Sequence, residues 1–125
     1  MKLRVRGETL RLRLTRSEVE ALGAGQVVEE RVPFPAGNTL VYQLRTADAY
    51  GSAMEQQGAD VHIVVEVPSA VAAEWSGSEV VGLAGDDAIS MGPLQVLIEK
   101  DFTCVTPREG EEELDTYPNP NVAAG

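Results

Sequence analysis

Two stretches of this chain decide its fold: LRLTRSEVEALGAGQVVEE, residues 12–30, and VEVPSAVAAEWSGSEVVGL, residues 65–83. At an offset of 53 residues their apolar positions coincide, and Leu22 is matched to Trp75. In each stretch an apolar alternation typical of a strand is followed by a short helical pattern and then by a second apolar run. The two stretches therefore predict a duplicated structural unit, with a chance match of short hydrophobic patterns as the alternative.

The helical part of each stretch has recognisable ends. Thr15 and Glu18 have the spacing of a capping box, and Gly23 begins a glycine-rich stop. In the second stretch Pro68 is expected at the first helical position, where its missing N–H is tolerated. Trp75 is expected to close this helix against the core, with a partner for its indole N–H.

Strands are predicted on both sides of each helix. Residues 3–14, LRVRGETLRLRL, alternate apolar and charged side chains around Gly7-Glu8, which is typical of a β-hairpin with a two-residue turn. Residues 46–60 are either a loop or a short strand that ends at a Gln57-Gly58 turn. The other predicted strands are QVVEERVPF (26–34), TLVYQLR (39–45), VHIVVEV (61–67), SEVVGLAG (78–85) and PLQVLIEKDF (93–102).

These elements predict a β-rich α+β fold. A chain of 125 residues has the usual size of one domain. We expect a single barrel-like domain over residues 1–105, built from two strand–strand–helix–strand–strand halves at about 1–46 and 51–101, and an acidic C-terminal tail over 106–125. Each half is too small to cover both faces of its own sheet, so closure of one half on the other would hide a shared core.

Residues 65–83, followed by LQVLIEKD (94–101), resemble the swapped-hairpin units of AbrB-like transition-state regulators. In that family a strand enters a short helix led by proline, and a loop and a final hairpin follow. The double-psi barrels of the wider cradle-loop barrel group likewise duplicate a unit of strands around one helix. The resemblance extends over roughly residues 2–101 and implies a duplicated, barrel-like fold.

The whole chain also resembles a family of small bacterial proteins of unknown function. The likeness extends from MKLRVRGETLRLRLTRSEVE (1–20) through IEKDF (98–102), Cys104 and Arg108 to YPNP (117–120). It implies a shared fold and a family-specific role, and it carries no known site to this sequence.

Charge is segregated along this acidic chain, whose net charge is −10. Residues 1–16 carry six cations against Glu8 alone, a net of +5, whereas the other 109 residues carry four basic and nineteen acidic groups, a net of −15. The predicted hairpin puts five cations on one face: Lys2, Arg4, Arg6, Arg11 and Arg13. Directly opposed like charges, such as Arg4 and Arg11, cost a few tenths to about 1 kcal/mol. The face therefore either binds an anionic ligand or partner, or is neutralised by the chain's own acids, for instance Glu29 or the tail.

The tail contains an acidic run followed by a stiff Tyr-Pro-Asn-Pro sequence. Leu114 and Tyr117 lie three residues apart within it. We expect these two residues to dock while the neighbouring carboxylates neutralise the basic hairpin; a free tail and a partner-binding arm are the alternatives. The acidic residues are Glu109, Glu111, Glu112, Glu113 and Asp115.

Catalytic and metal-binding motifs find little support. His62 and Cys104 are the only residues of their types, and nothing in the sequence places them together. No phosphate-binding loop, dinucleotide fingerprint, nucleophile elbow or metal-ligand spacing occurs, so we expect no cofactor and no metal. No apolar run approaches the roughly 20 residues that span a bilayer, the N-terminus lacks the core of a secretory signal, and one cysteine fits a reducing compartment. These features favour the cytoplasm.

The sequence therefore predicts a small cytosolic binding or regulatory module, a monomer or a homodimer, that contacts an unknown anionic ligand or protein through the basic hairpin. One alternative is an enzyme with its active site in a cleft between the two halves. A second is AbrB-like nucleic-acid binding, which a net charge of −10 disfavours.

Overall fold

The computed structural model describes residues 1–101 and shows a β-rich α+β fold, as predicted. The elements are β1 (Lys2–Arg6), β2 (Thr9–Leu14), α1 (Arg16–Gly23), β3 (Val28–Pro33), β4 (Thr39–Ala47), β5 (Gly51–Gln57), β6 (Asp60–Pro68), α2 (Ser69–Ser76), β7 (Ile89–Met91) and β8 (Leu94–Lys100). The acidic segment 106–125, with Leu114 and Tyr117, lies outside the described residues, as does Cys104.

The strands form two four-stranded sheets, each of which contains one hairpin from each half of the chain. The first sheet has the order β1-β2-β8-β7 and the second the order β3-β4-β6-β5. The hairpins are antiparallel, and the two halves meet through the parallel pairs β2–β8 and β4–β6. Exchanging β1–β4 for β5–β8 converts the strand order of one sheet into that of the other. The described strands therefore form two sheets with exchanged hairpins rather than a closed barrel.

The first hairpin has the register that the sequence predicts. Its five cross-strand pairs run from Lys2 opposite Arg13 to Arg6 opposite Thr9. Gly7 has a φ of 58°, which suits the first position of this tight turn. Leu10, Leu12 and Leu14 are buried, so the alternate positions of β2 face away from the core.

The two helices pack against each other at equivalent positions of the two halves. The capping box of α1 is confirmed, since Thr15 Oγ1 accepts from the Glu18 N–H and a Glu18 carboxylate oxygen accepts from the Thr15 N–H. Gly23 lies against Ser76 of α2, and a Cβ on Gly23 would lie only 2.5 Å from the Ser76 Cβ. Positions 23 and 76 differ by the same 53 residues that relate Leu22 to Trp75. The two helices therefore contact each other at equivalent positions of the two halves.

One buried apolar cluster joins both sheets and both helices. Its fully buried members include Leu12 and Ile98 from the first sheet, Leu44 and Val65 from the second, and Leu22 from α1. Trp75 is 3 % exposed and its indole N–H donates to the Val81 carbonyl at 3.3 Å, so the predicted core role is confirmed.

The predicted strand at 78–85 is wrong. That segment makes only an isolated bridge between Gly82 and Glu99, while Gly85 N–H donates back to the Gly82 carbonyl and turns the chain. The strand that pairs with β8 is instead the short β7, which follows this turn. The uncertain segment at 46–60 contains a full strand, β5, and Pro68 is the N-cap of α2 rather than its first helical residue.

Candidate functional site

The five predicted cations lie together on the outer surface of the first sheet. The register places Arg4 beside Arg11 and Lys2 beside Arg13, on the side of the hairpin away from the buried leucines. The neighbouring strand β8 contributes Leu97 next to Arg11 and Glu99 next to Arg13. We call this surface the basic face: Lys2, Arg4, Arg6, Arg11 and Arg13.

The carboxylates on the basic face come from the end of β8. Glu99 Oε1 lies 3.7 Å from Arg11 Nε and 3.5 Å from Arg13 Nε, so one carboxylate is shared by two guanidinium groups. Lys2 Nζ lies 3.3 Å from Asp101. The acid suggested by the sequence, Glu29, is elsewhere: it accepts from Arg31 and Gln43 on the second sheet. The expectation that Glu29 balances the hairpin is therefore wrong.

The Arg11 guanidinium is incompletely satisfied. Within residues 1–101 its Nε is a buried atom with no hydrogen-bond partner, because Glu99 lies beyond hydrogen-bond distance. Arg6 is exposed beside the turn of the hairpin. Among the described residues, Lys2, Arg11 and Arg13 thus share the two carboxylates of Glu99 and Asp101.

The outer surface of the second sheet is balanced by comparison. Arg31 Nε donates to Glu29 at 2.9 Å, and Arg45 Nε donates to Glu66 at the same distance. Each cation here has its own carboxylate within hydrogen-bond reach. Among the described residues, the sharing of one carboxylate by two guanidinium groups is therefore a property of the first sheet and not of the second.

A second group of charges, which sequence reasoning missed, surrounds the α-ammonium group of Met1. Its nitrogen donates to Glu18 of α1 at 2.6 Å and to Glu30 of β3 at 2.7 Å, and the Tyr42 hydroxyl donates to the Met1 carbonyl at 3.1 Å. Because the partners come from three elements, no local sequence signal could have found this cluster.

The titration of this cluster follows from its contacts. Burial alone would lower the pKa of the Met1 α-ammonium, but the hydrogen bonds to Glu18 and Glu30 outweigh it and raise the pKa. Burial raises the pKa of Glu18, but its hydrogen bonds with the α-ammonium and with Thr15, together with the charge of the α-ammonium, outweigh burial and lower the pKa. The pKa of Tyr42 is raised by burial and then by the two carboxylates. These ion pairs and hydrogen bonds connect the residue before β1 to α1 and to the second sheet.

A cleft of about 690 Å³ lies between the two helices. The alternative prediction, an enzyme with its active site between the two halves, would use this cleft. Its residues include Arg16 and Glu20 of α1, Ser76 of α2, and Lys100. The Lys100 ammonium donates to the Ser78 carbonyl at 2.6 Å and lies over the Trp75 ring at 5.4 Å from its centroid. Among the described residues that line the cleft there is no histidine or cysteine.

His62 is not among the cleft residues and lies on the outer surface of the second sheet. It faces Val41 on β4 and Glu55 on β5. Within residues 1–101, no three His, Cys, Asp or Glu side chains come together as a metal site. No helix in the described part of the chain is long and apolar enough to cross a membrane.

The fold and the site together define a β-rich α+β protein with exchanged hairpins and one positively charged sheet surface. A family model described as Family of unknown function (DUF7009) matches residues 1–121. The chain belongs to this family, in agreement with the resemblance seen in the sequence. Neither a curated protein nor a solved structure matches the chain.

Proposed function

We propose that this protein is a binding module whose basic face takes an acidic, extended segment of a partner protein. The observation that carries the proposal is on the outer surface of the first sheet, where Arg11 and Arg13 share the single carboxylate of Glu99 and neither comes within hydrogen-bond reach of a carboxylate of its own in the described residues. On the corresponding surface of the second sheet, Arg31 and Arg45 each have their own carboxylate. An acidic partner would supply a second carboxylate to the pair Arg11 and Arg13.

The spacing of the cations favours an extended peptide. Alternate residues of a strand repeat every ~6.8 Å, so Lys2, Arg4 and Arg6 form a row with that spacing. An extended peptide with acids at every second position has the same repeat. Among the described strands β1 is also an edge strand, and an added strand can pair with it through main-chain hydrogen bonds.

Nucleic acid fits the basic face less well. Single strands bind proteins by stacking on aromatic side chains, and the uncharged neighbours of the cations on this surface are Thr9, Gln95 and Leu97. The net charge of −10 also repels a polyanion at long range. A short acidic peptide carries fewer charges and meets a smaller long-range penalty.

The interaction is expected to be weak and sensitive to salt. Exposed ion pairs contribute about 0.2–1 kcal/mol each. The half-buried Arg11 side chain, 31 % exposed, contributes more through the accessible part of its guanidinium group, because a hydrogen bond to a charged group contributes about 1.5–3 kcal/mol. The acidic residues of 106–125, with Leu114 and Tyr117, are proposed to compete for the same face.

Fluorescence anisotropy with a labelled peptide of alternating glutamate and threonine tests the proposal, at low and at physiological salt. Binding should weaken about tenfold or more when Arg6 and Arg11 are replaced by serine. It should persist when Arg31 and Arg45 of the second sheet are replaced in the same way. Absence of peptide binding by both the full chain and a chain ending at Val105 would refute the proposal.

The same experiment separates the classes of partner. A single-stranded oligonucleotide of equal charge should bind more weakly than the peptide. Tighter binding of the oligonucleotide would overturn the assignment of a peptide partner and favour nucleic acid. Tighter peptide binding by the chain ending at Val105 would support competition by the tail.

A further inference from the structure

The four edges of the two sheets are protected to different degrees. Among the described strands, β1 carries three cations, β3 carries three charges and ends at Pro33, and β7 has only three residues. Charges, proline and short length are the usual devices that prevent an edge from pairing with another strand. Strand β5, GSAMEQQ, has seven residues and a single charge, Glu55.

Strand β5 is also regular and open. Its pairing with β6 is continuous from Gly51 opposite Glu66 to Gln57 opposite Asp60, so no bulge interrupts it. Six of its seven residues are exposed. Met54, at its centre, is 72 % exposed, the highest fraction among the large exposed hydrophobic residues in the described part of the chain. Within residues 1–101, the outer side of β5 therefore presents an unprotected pairing edge with an apolar residue in the middle.

We propose that this edge pairs with β5 of a second copy of the same chain. The order of residues within the strand is self-complementary in an antiparallel pair whose twofold axis passes through Met54. The small residues of the first half then face the long residues of the second half of the partner strand: Gly51 faces Gln57, Ser52 faces Gln56, and Ala53 faces Glu55.

Charge is consistent with this register. Each Glu55 faces the small Ala53, and the two Glu55 side chains are diagonal neighbours, at about 7–8 Å rather than directly opposed. The two Met54 side chains meet on the axis and bury each other. The result is a continuous eight-stranded sheet with the order β3-β4-β6-β5-β5-β6-β4-β3 across the two copies.

The size of the contact sets its strength. Seven residues from each copy form an interface smaller than the roughly 1,200–2,000 Å² of a stable complex. The dimer therefore forms and dissociates with concentration. It also leaves the basic faces of both copies open, because these lie on the other sheet.

Sedimentation velocity over a range of concentrations tests the dimer. Wild-type protein should show a concentration-dependent shift toward twice the monomer mass. Met54→Lys, which opposes two ammonium groups on the axis, should raise the dissociation constant about tenfold or more. The matched control is Val5→Lys, since Val5 is 61 % exposed on the edge strand β1 of the other sheet. A wild-type chain that is monomeric throughout would refute the proposal.

Disulfide trapping tests the register separately. In a Cys104→Ser background, Met54→Cys places two cysteines across the axis at a separation that a disulfide can span. Gln56→Cys faces Ser52 of the partner and has no cysteine opposite. Oxidation should link Met54→Cys chains readily and Gln56→Cys chains slowly. Equal rates for the two variants would overturn this register, and Gln56→Cys chains that link faster would indicate a different pairing.

Discussion

Replacing Gly23 with alanine should destabilise the protein through the contact between the two helices. A Cβ at this position would lie 2.5 Å from the Ser76 Cβ and closer still to its hydroxyl oxygen. Ordinary contacts between carbon atoms are about 3.5–4.0 Å. The hydroxyl can rotate away, but the Ser76 Cβ is attached to the backbone of α2, so the helices themselves must separate by about 1 Å.

The magnitude follows from two opposing effects. Inserting a methyl group into a packed contact costs about 1–3 kcal/mol. Replacing glycine by alanine stabilises a helix by up to about 1 kcal/mol. The gain is smaller at the final residue of α1, where Gly23 lies. We therefore expect Gly23→Ala to lower the free energy of unfolding by about 1–2 kcal/mol.

Urea denaturation tests this with five proteins: wild type, Gly23→Ala, Ser76→Gly, the double variant and one control. Ser76→Gly removes both atoms that the new methyl group would meet, so Gly23→Ala should cost about 1–3 kcal/mol less in that background. Gly77→Ala is the matched control, since its Cβ would meet nothing closer than 4.0 Å and its φ of −95° suits alanine. A Gly23→Ala variant as stable as wild type, or one that Ser76→Gly fails to rescue, would refute the reasoning.

Three further predictions concern the turn after α2 and the ion-paired cluster around the Met1 α-ammonium. Gly82→Ala should lower the free energy of unfolding by about 1–3 kcal/mol, because its Cβ would overlap the Gly85 carbonyl oxygen. A urea midpoint equal to that of wild type would contradict this. Tyr42→Phe removes the hydrogen bond to the Met1 carbonyl and should lower the free energy of unfolding by about 1 kcal/mol. Unchanged thermal stability would count against that hydrogen bond. The raised pKa of the Met1 α-ammonium gives stability that is present below the ordinary pKa of this group and lost as pH rises through the folded-state value. The urea midpoint should therefore fall on the alkaline side, and Glu18→Gln should reduce that dependence; identical alkaline profiles would argue against the ion pair.

The local features of the fold were predictable from the sequence. Alternation around Gly7-Glu8 fixed the register of the first hairpin, since a shift by one residue would expose its leucines and bury its cations. The capping box at Thr15 depends on residues three apart and was equally visible. Such features require information only from neighbouring residues.

In the segment 78–85 the apolar sequence pattern predicted a strand that the structure does not contain. Val80 and Val81 have the composition of a strand, yet they are 50 % and 45 % exposed. The close approach of Gly82 to the Gly85 carbonyl bends the chain there, and the short β7 pairs with β8 instead. Two glycines three residues apart were the available sign of this turn.

The counterions of the basic face were beyond prediction for a different reason. Glu99 reaches Arg11 and Arg13 only because β2 and β8, from opposite ends of the described chain, pair in parallel. Five cations could be placed on one face from the sequence, whereas the acids beside them depend on which strands meet across the two halves.

The exchange of hairpins between the sheets also determines the order in which the chain can complete itself during synthesis. The first hairpin emerges first, but its central neighbour β8 is the last strand to be made, so the first sheet waits for nearly the whole described sequence. Until then β2 has only β1 beside it, and contacts over such long separations form slowly. The cations of β1 and β2 disfavour edge-to-edge pairing of two such unfinished hairpins, because like charges would then lie opposite each other.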